Sequence, residues 1–199
     1  MTGENVDKGE RQPGGRTPAP GELAVLQSFV NTKWDLDDPG KDEMLTSPGA
    51  LEDWLRSRDL LEGPGHLAEG DLDRALAVRE GLRALAFVNN EHTLDEAAVD
   101  SMRRASQGAA SEIRIEPDGP RFVPPWTAGI DAAFGALFAI TARAMIDGSW
   151  KRLKACPGRY CGWVFYDASR NQSARWCSMK VCGDREKSRA YYRRRVAPA

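Results

Sequence analysis

Long apolar runs are missing from this chain. The most apolar stretch, Ala132 to Ile140, lies between Asp131 and Thr141 and is about half the length that crosses a bilayer, so no transmembrane helix is expected. The first twenty residues, MTGENVDKGERQPGGRTPAP, hold charges, Gly and Pro but no apolar segment. They read as a disordered tail over residues 1–20, not as a secretory leader, and the protein is expected to be cytoplasmic. Histidine is scarce: His66 and His92 both sit in loops beside Gly or Glu, and no Ser, Cys or carboxylate set in linear reach forms a catalytic motif. Enzyme activity is not expected. Internal repeats of roughly 20 to 50 residues are absent as well.

Cysteine is limited to four residues, and all of them fall in the last fifty. Cys156, Cys161, Cys177 and Cys182 are spaced Cys-x4-Cys-x15-Cys-x4-Cys. Two close pairs separated by about 15 to 20 residues can bring four thiolates to one tetrahedral centre, the geometry that a structural zinc ion favours. Without a secretory signal the thiols stay reduced, which favours metal over two disulfides. One structural Zn2+ is expected, held by all four cysteines, with no open position for water.

Charge divides at the same place. From Trp150 onward there are thirteen Lys and Arg against three Asp and Glu, whereas residues 1–149 carry fifteen against twenty-six. The overall charge of -1 therefore conceals an acidic body and a basic end, the asymmetry of a polyanion-binding tail.

Over residues 21–149 the periodicity is mostly helical. Leu23, Leu26 and Val30 share a face with Phe29, predicting a helix over Glu22–Asn31. Ser47-Pro48 offers a cap and a proline at the first helical position, leading into Leu51, Trp54 and Leu55. Leu72, Leu76, Leu82, Leu85 and Ala86 form a stripe over about 69–89, and Thr93 with Glu96 matches a capping box for a helix reaching about Ser106. The period then changes. Glu112-Ile-Arg-Ile-Glu116, the Pro117-Asp-Gly119 turn and Arg121-Phe-Val123 predict a β-hairpin, and a helix apolar nearly all round follows from about Ala128 to Asp147. Trp34, Trp54, Trp126 and Trp150 fit either a ligand pocket or a filled core.

In the basic end, Trp163–Tyr166 and Ala174–Cys177 read as two strands joined over 167–173, followed by a helix over Asp184–Arg195. Trp163, Phe165 and Trp176 are its candidate core. The run CPGRYCGWVFYDASRNQSARWCSMKVCGDREKSRAYYRRR resembles the CGNR-type zinc finger, which closes a family of stress-induced bacterial transcriptional regulators. The likeness covers about forty residues: both cysteine pairs, Trp163–Asp167, the Ser169-Arg-Asn171 turn, the Trp176-Cys-Ser-Met179 step and the CG-x-R end. More loosely, the FVNT end of the first helix and the segment IDGSWKRLKAC are similar to the helical domain that accompanies this finger. One position departs from the signature, Asp184 standing where the family has Asn. A helix-capping role survives that change, but a phosphate contact through the side chain does not.

The chain is thus expected to be α-rich (α+β): a tail over 1–20, a helical sensor or dimerisation domain with one β-hairpin over 21–149, and a treble-clef-like zinc finger over 150–199. On the last helix Arg185, Arg189, Tyr192 and Arg193 share a face, with Arg170, Arg175 and Lys180 extending it from the expected hairpin and Asn171 available for a base or phosphate contact. The expected function is a zinc-dependent, DNA-binding transcriptional regulator, leaving room for a homodimer and for a small-molecule effector. The alternative is a zinc-stabilised protein-interaction or self-association module, or an RNA binder.

Overall fold

The helical stripes of the sequence become the walls of one hydrophobic core. The computed structural model describes residues 12–196, apart from 39, 64, 65 and 124–128. Helix α1 (Leu23–Val30) buries Leu23, Leu26, Phe29 and Val30. Helix α2 (Pro48–Arg56) starts as its sequence predicts, with the Ser47 hydroxyl accepting from Ala50 N–H at 3.1 Å. Helix α3 (Glu69–Val88) is the longest and packs against α1, α2, α5 and most extensively α4. Helix α4 (Glu96–Ala105) is capped by Asp95, whose Oδ1 accepts from Ala98 N–H at 3.0 Å, and not by Thr93. Both residues can cap, and the two candidate starts differ by only two positions.

Strands β1 (Glu112–Glu116) and β2 (Gly119–Val123) form the predicted hairpin, pairing Glu112 with Val123 through to Glu116 with Gly119. Helix α5 (Ile130–Asp147) follows, ending at Gly148 in the left-handed region. Its expected start at Ala128 lies outside the described residues, as does Trp126. Gly135 on α5 lets the segment before β1 lie against the helix, because a Cβ there would collide with the Ala110 carbonyl. The helix is less completely buried than its composition suggests, since Met145 and Ile146 in its last turn are exposed.

The C-terminal segment folds onto this body. Strands β3 (Leu153–Ala155) and β4 (Val164–Tyr166) pair antiparallel, and helix α6 (Asp184–Val196) follows a wide turn over Met179–Gly183. The hairpin differs from the one expected. Residues 174–177 form no strand, and the partner of β4 is β3, so the hairpin carries the first cysteine pair in its loop instead of spanning the two pairs. Trp150, Leu153, Ala155 and Val164 belong to the same buried cluster as Leu26, Phe29, Leu82 and Leu137. Trp54 is also a core residue, its ring tilted against that of Phe29 with centroids 5.4 Å apart.

Residues 12–20 fall within the expected disordered tail but are placed against the finger. Pro13–Gly15 makes one 3-10 turn, and Arg16 donates to the carbonyls of Trp176 and Cys177 at 2.7 and 2.8 Å while covering the Phe165 ring. Residues 1–11 lie outside the described residues. No helix of the described residues is long and apolar enough to cross a membrane.

Candidate metal centre and basic surface

Each cysteine is placed by backbone turns. Cys156 follows β3, where its N–H continues the ladder to the Trp163 carbonyl at 2.9 Å. Cys161 closes a tight turn, donating to Gly158 O at 2.7 Å after Tyr160 has passed through the left-handed region. Cys177 and Cys182 flank the turn into α6, with Cys182 N–H and Gly183 N–H both donating to Ser178 O. The four Sγ atoms lie within 4.8 Å of one another. Cys161 and Cys177 are separated by 3.8 Å, and Cys177 and Cys182 by 3.6 Å. Four sulfurs each about 2.3 Å from a zinc ion stand about 3.8 Å apart along the edges of a tetrahedron, whereas a disulfide would bring them to about 2.05 Å. The donor set fits one structural zinc ion and its shell is closed.

The polarity of this set also suits a metal. Hydrogen bonds from Cys156, Cys161 and Cys177 hold the Cys182 thiol far below its ordinary range, and the nearby Arg185 guanidinium adds to the effect. Cys161 and Cys177 are pushed far up, first by their hydrogen bonds with Cys156. Cys156 is held low as well, and a cation among the four sulfurs is what allows all of them to ionise together.

Polar side chains of the body grip the finger's backbone. Asn31, at the end of α1, donates to Val164 O at 2.8 Å and accepts from Val164 N–H at 2.7 Å, standing in for a third strand beside β4. Asn89 donates to Trp150 O and Leu153 O, and Asn90 to Ala155 O and Arg175 O, all at 2.8–2.9 Å. Arg83 of α3 is 2% exposed. Its guanidinium donates to Val30 O and Lys33 O in the body and to Gly162 O in the finger, with Glu80 supplying the counter-charge at 2.8 Å. Gly162 is needed for that approach, since a Cβ would sit 3.0 Å from the guanidinium and 2.8 Å from Leu36. Asn31→Ala would strand the buried Val164 N–H and leave the Val164 carbonyl with only the Gln27 amide, at 3.1 Å. A loss of about 3 kcal/mol is expected, read from the denaturant midpoint of the zinc-loaded protein.

The loop between β4 and the second cysteine pair is organised by Asp167, which is fully buried. Its carboxylate accepts from the Ser169 hydroxyl at 2.6 Å, from the N–H groups of Ser169 and Ala174, and from Lys154 Nζ at 2.9 Å. Lys154, 6% exposed, also donates to Gln172 O and Ala174 O. This knot presents Arg170 and Asn171 to solvent at the loop's tip.

Of the other basic residues, Arg185 and Arg193 on α6 and Lys180 in the preceding turn are exposed. Arg189 is half-buried and pairs with Glu186. The Glu186 carboxylate is held below its usual range, first by Arg159 N–H and then by Arg189. Arg185 and Arg189 line a cleft of about 550 Å³ that faces Trp34, Asp35 and Asp42 of the body. Arg175 opens on a separate cleft, beside Lys151 and the end of α3. Asp184 occupies the first turn of α6, where the helix dipole favours a carboxylate, 3.7 Å from Lys187.

Residues 152–195 match the CGNR zinc finger, and residues 15–148 match the ABATE family, described as "putative stress-induced transcription regulator". The chain belongs to the ABATE family. A search of curated proteins finds no match. The ABATE segment contributes Asn31, Arg83, Asn89 and Asn90 to the grip, and the finger contributes the carbonyls they hold. Asn31, Lys154 and Asp167 fall in stretches that carry the family likeness, but the sequence assigns no such role to any of these residues. The signal available was weak: three asparagines and an arginine placed on or beside otherwise apolar stripes.

Proposed function

We propose that this ABATE–CGNR protein is an intracellular, DNA-binding transcriptional regulator whose finger contacts the phosphate backbone and whose helical body senses or dimerises. The observation that supports it most directly is a four-cysteine cluster fitting one zinc ion, around which exposed cations project: Lys180 and Arg185 beside the second cysteine pair, Arg193 further along α6, and Arg170 with Asn171 on the Asp167 loop. Phosphate neutralisation is the usual source of nucleic-acid affinity, and a metal-held scaffold lowers the entropy lost on binding. The zinc acts as scaffold and takes no part in chemistry in this reading, because four thiolates leave no position for a substrate or water.

Replacing Arg185, Arg189 and Arg193 together by alanine tests the surface. Fluorescence-anisotropy titration against duplex DNA at several salt concentrations should show weaker binding. The log–log salt slope should be shallower by about two to three, one unit for each lost phosphate contact. An unchanged slope would exclude α6 as the contact surface.

A second reading makes the finger a protein-interaction or RNA-binding module. The acidic loop residues Asp35, Asp37 and Asp42, which share a cleft with Arg185 and Arg189, favour an interaction role. Competition between duplex DNA and structured RNA separates the nucleic-acid readings, and binding to neither would leave the protein-interaction one.

A further inference from the structure

Pro120 fixes the hydrogen-bond phase of the β1–β2 hairpin. It lies opposite Ile115 and has no N–H, so that pair cannot carry ladder bonds. The bonds therefore fall on the pairs 116–119, 114–121 and 112–123. The N–H and C=O groups of Ile113 and Ile115 consequently point away from β2, along the outer edge of β1. Pro120 and Phe122 occupy the outer edge of β2, and the proline blunts it against further pairing. The β1 edge has no such guard. All five β1 residues are exposed, with Ile113 at 59% and Ile115 at 82%, and among the described residues β1 has no partner but β2. Two strands alone are marginally stable in water.

The sequence of β1, Glu-Ile-Arg-Ile-Glu, is complementary to itself when run antiparallel. A two-fold axis through Arg114 would set arginine against arginine and glutamate against glutamate. An axis through Ile113 sets Glu112 of each copy against Arg114 of the other, twice, with Ile113 against Ile113. An axis through Ile115 also alternates charge, but it places Ile113 opposite Pro117, which has no N–H to give. The axis through Ile113 instead pairs Ile115 of one copy with Ser111 of the other, and both retain their N–H groups. Ser111 and Ile113 line a shallow apolar groove of about 240 Å³ with Phe122, Phe138 and Ala142, so Ile115 of the second copy meets an apolar wall there.

We propose that the occupant of the β1 edge is a second copy of this chain, joined antiparallel about Ile113 into a four-stranded β2–β1–β1–β2 sheet, with reciprocal Glu112–Arg114 pairs setting the register. This deepens the dimerisation half of the function proposed above and does not depend on the DNA half. Cross-strand charge pairs that face each other stabilise, and like charges in the same positions repel.

The test uses charge exchange in the full-length, zinc-loaded protein, with mass measured by light scattering after size exclusion at tens of micromolar. The native chain should run at twice its 21.9 kDa mass. R114E and E112R should each raise the dimer dissociation constant by about tenfold or more. The double variant E112R/R114E should recover the dimer, and a mixture of R114E with E112R should form a heterodimer. Zinc content and circular dichroism confirm that each variant is folded. A monomeric native chain overturns the proposal, and so does a dimer indifferent to both single exchanges. Neither result bears on DNA binding, which the anisotropy titration reads separately.

Discussion

Stripping the metal, or replacing Cys177 by serine, should unfold the finger and weaken the helical body with it. A structural zinc site supplies on the order of 10 kcal/mol to a unit with little core of its own, and the cluster around Trp163 and Phe165 is small. The consequence for the body follows from shared burial. Trp150, Leu153, Ala155 and Val164 are part of the core built by α1, α3 and α5, and each is at most 6% exposed. Losing their packing costs about 5 kcal/mol, at roughly 1.5–3 kcal/mol for each large side chain. Arg83, Asn31, Asn89 and Asn90 would lose acceptors at the same moment. Thermal unfolding followed by circular dichroism should show one cooperative transition, moved down by about 10–20 °C in the chelated protein. Two separate transitions, the upper one unmoved by chelation, would refute this coupling.

Such coupling bears on how a body could control a finger. Two rigid units on a flexible linker transmit little. Here Arg83 donates to carbonyls on both sides of the joint, and Asn31 completes the edge of β4. A change in the relative position of α1 and α3 would therefore act directly on Gly162 and Val164, next to Cys161 and Trp163. The cleft lined by Trp34, Asp35, Arg185 and Arg189 lies across the same joint.

The helices were legible because each buries a stripe at helical spacing: Leu26 with Phe29 and Val30, Leu51 with Trp54 and Leu55, Leu72 through Ala86. The zinc ligands were legible because spacing alone restricts four cysteines to few geometries. Strand β3 was not. It is three residues long, and its central Lys154 contradicts the apolar pattern of a buried strand, a contradiction that Asp167 resolves from thirteen positions away. Residues 174–177 resembled a strand because Trp176 and Cys177 are buried-type residues, yet their burial comes from the metal cluster and Arg16, not from a ladder. The grip of body on finger was equally hidden, since amide side chains satisfying distant backbone leave no periodic trace.

Lys154→Met should cost about 3–5 kcal/mol and loosen the loop that carries Arg170 and Asn171. The reason is the asymmetry of buried ion pairs: removing one partner leaves the other's charge in a dry site. Here Asp167 is fully buried, and its carboxylate is committed to four donors, the Ser169 hydroxyl and N–H, the Ala174 N–H and the Lys154 ammonium. Asp167→Ala should be as severe, leaving Lys154 Nζ with carbonyls only. The double variant K154M/D167A should cost less than the sum of the two single changes, which chemical denaturation of the four proteins would show. Burial alone would push the Asp167 carboxyl up. The Ser169 hydroxyl and the Lys154 ammonium outweigh that and hold it below its ordinary value. A carboxyl depressed in the folded state stabilises fully above its unfolded value of about 3.9, and that share fades only as pH falls through the lower folded value. The cost of Lys154→Met should accordingly be level across neutral pH. Protons compete with zinc for the four thiolates as pH falls, so acid unfolding should begin with metal release and not with Asp167. A chromogenic zinc indicator read beside circular dichroism checks the order, and structure lost while zinc stays bound would contradict it.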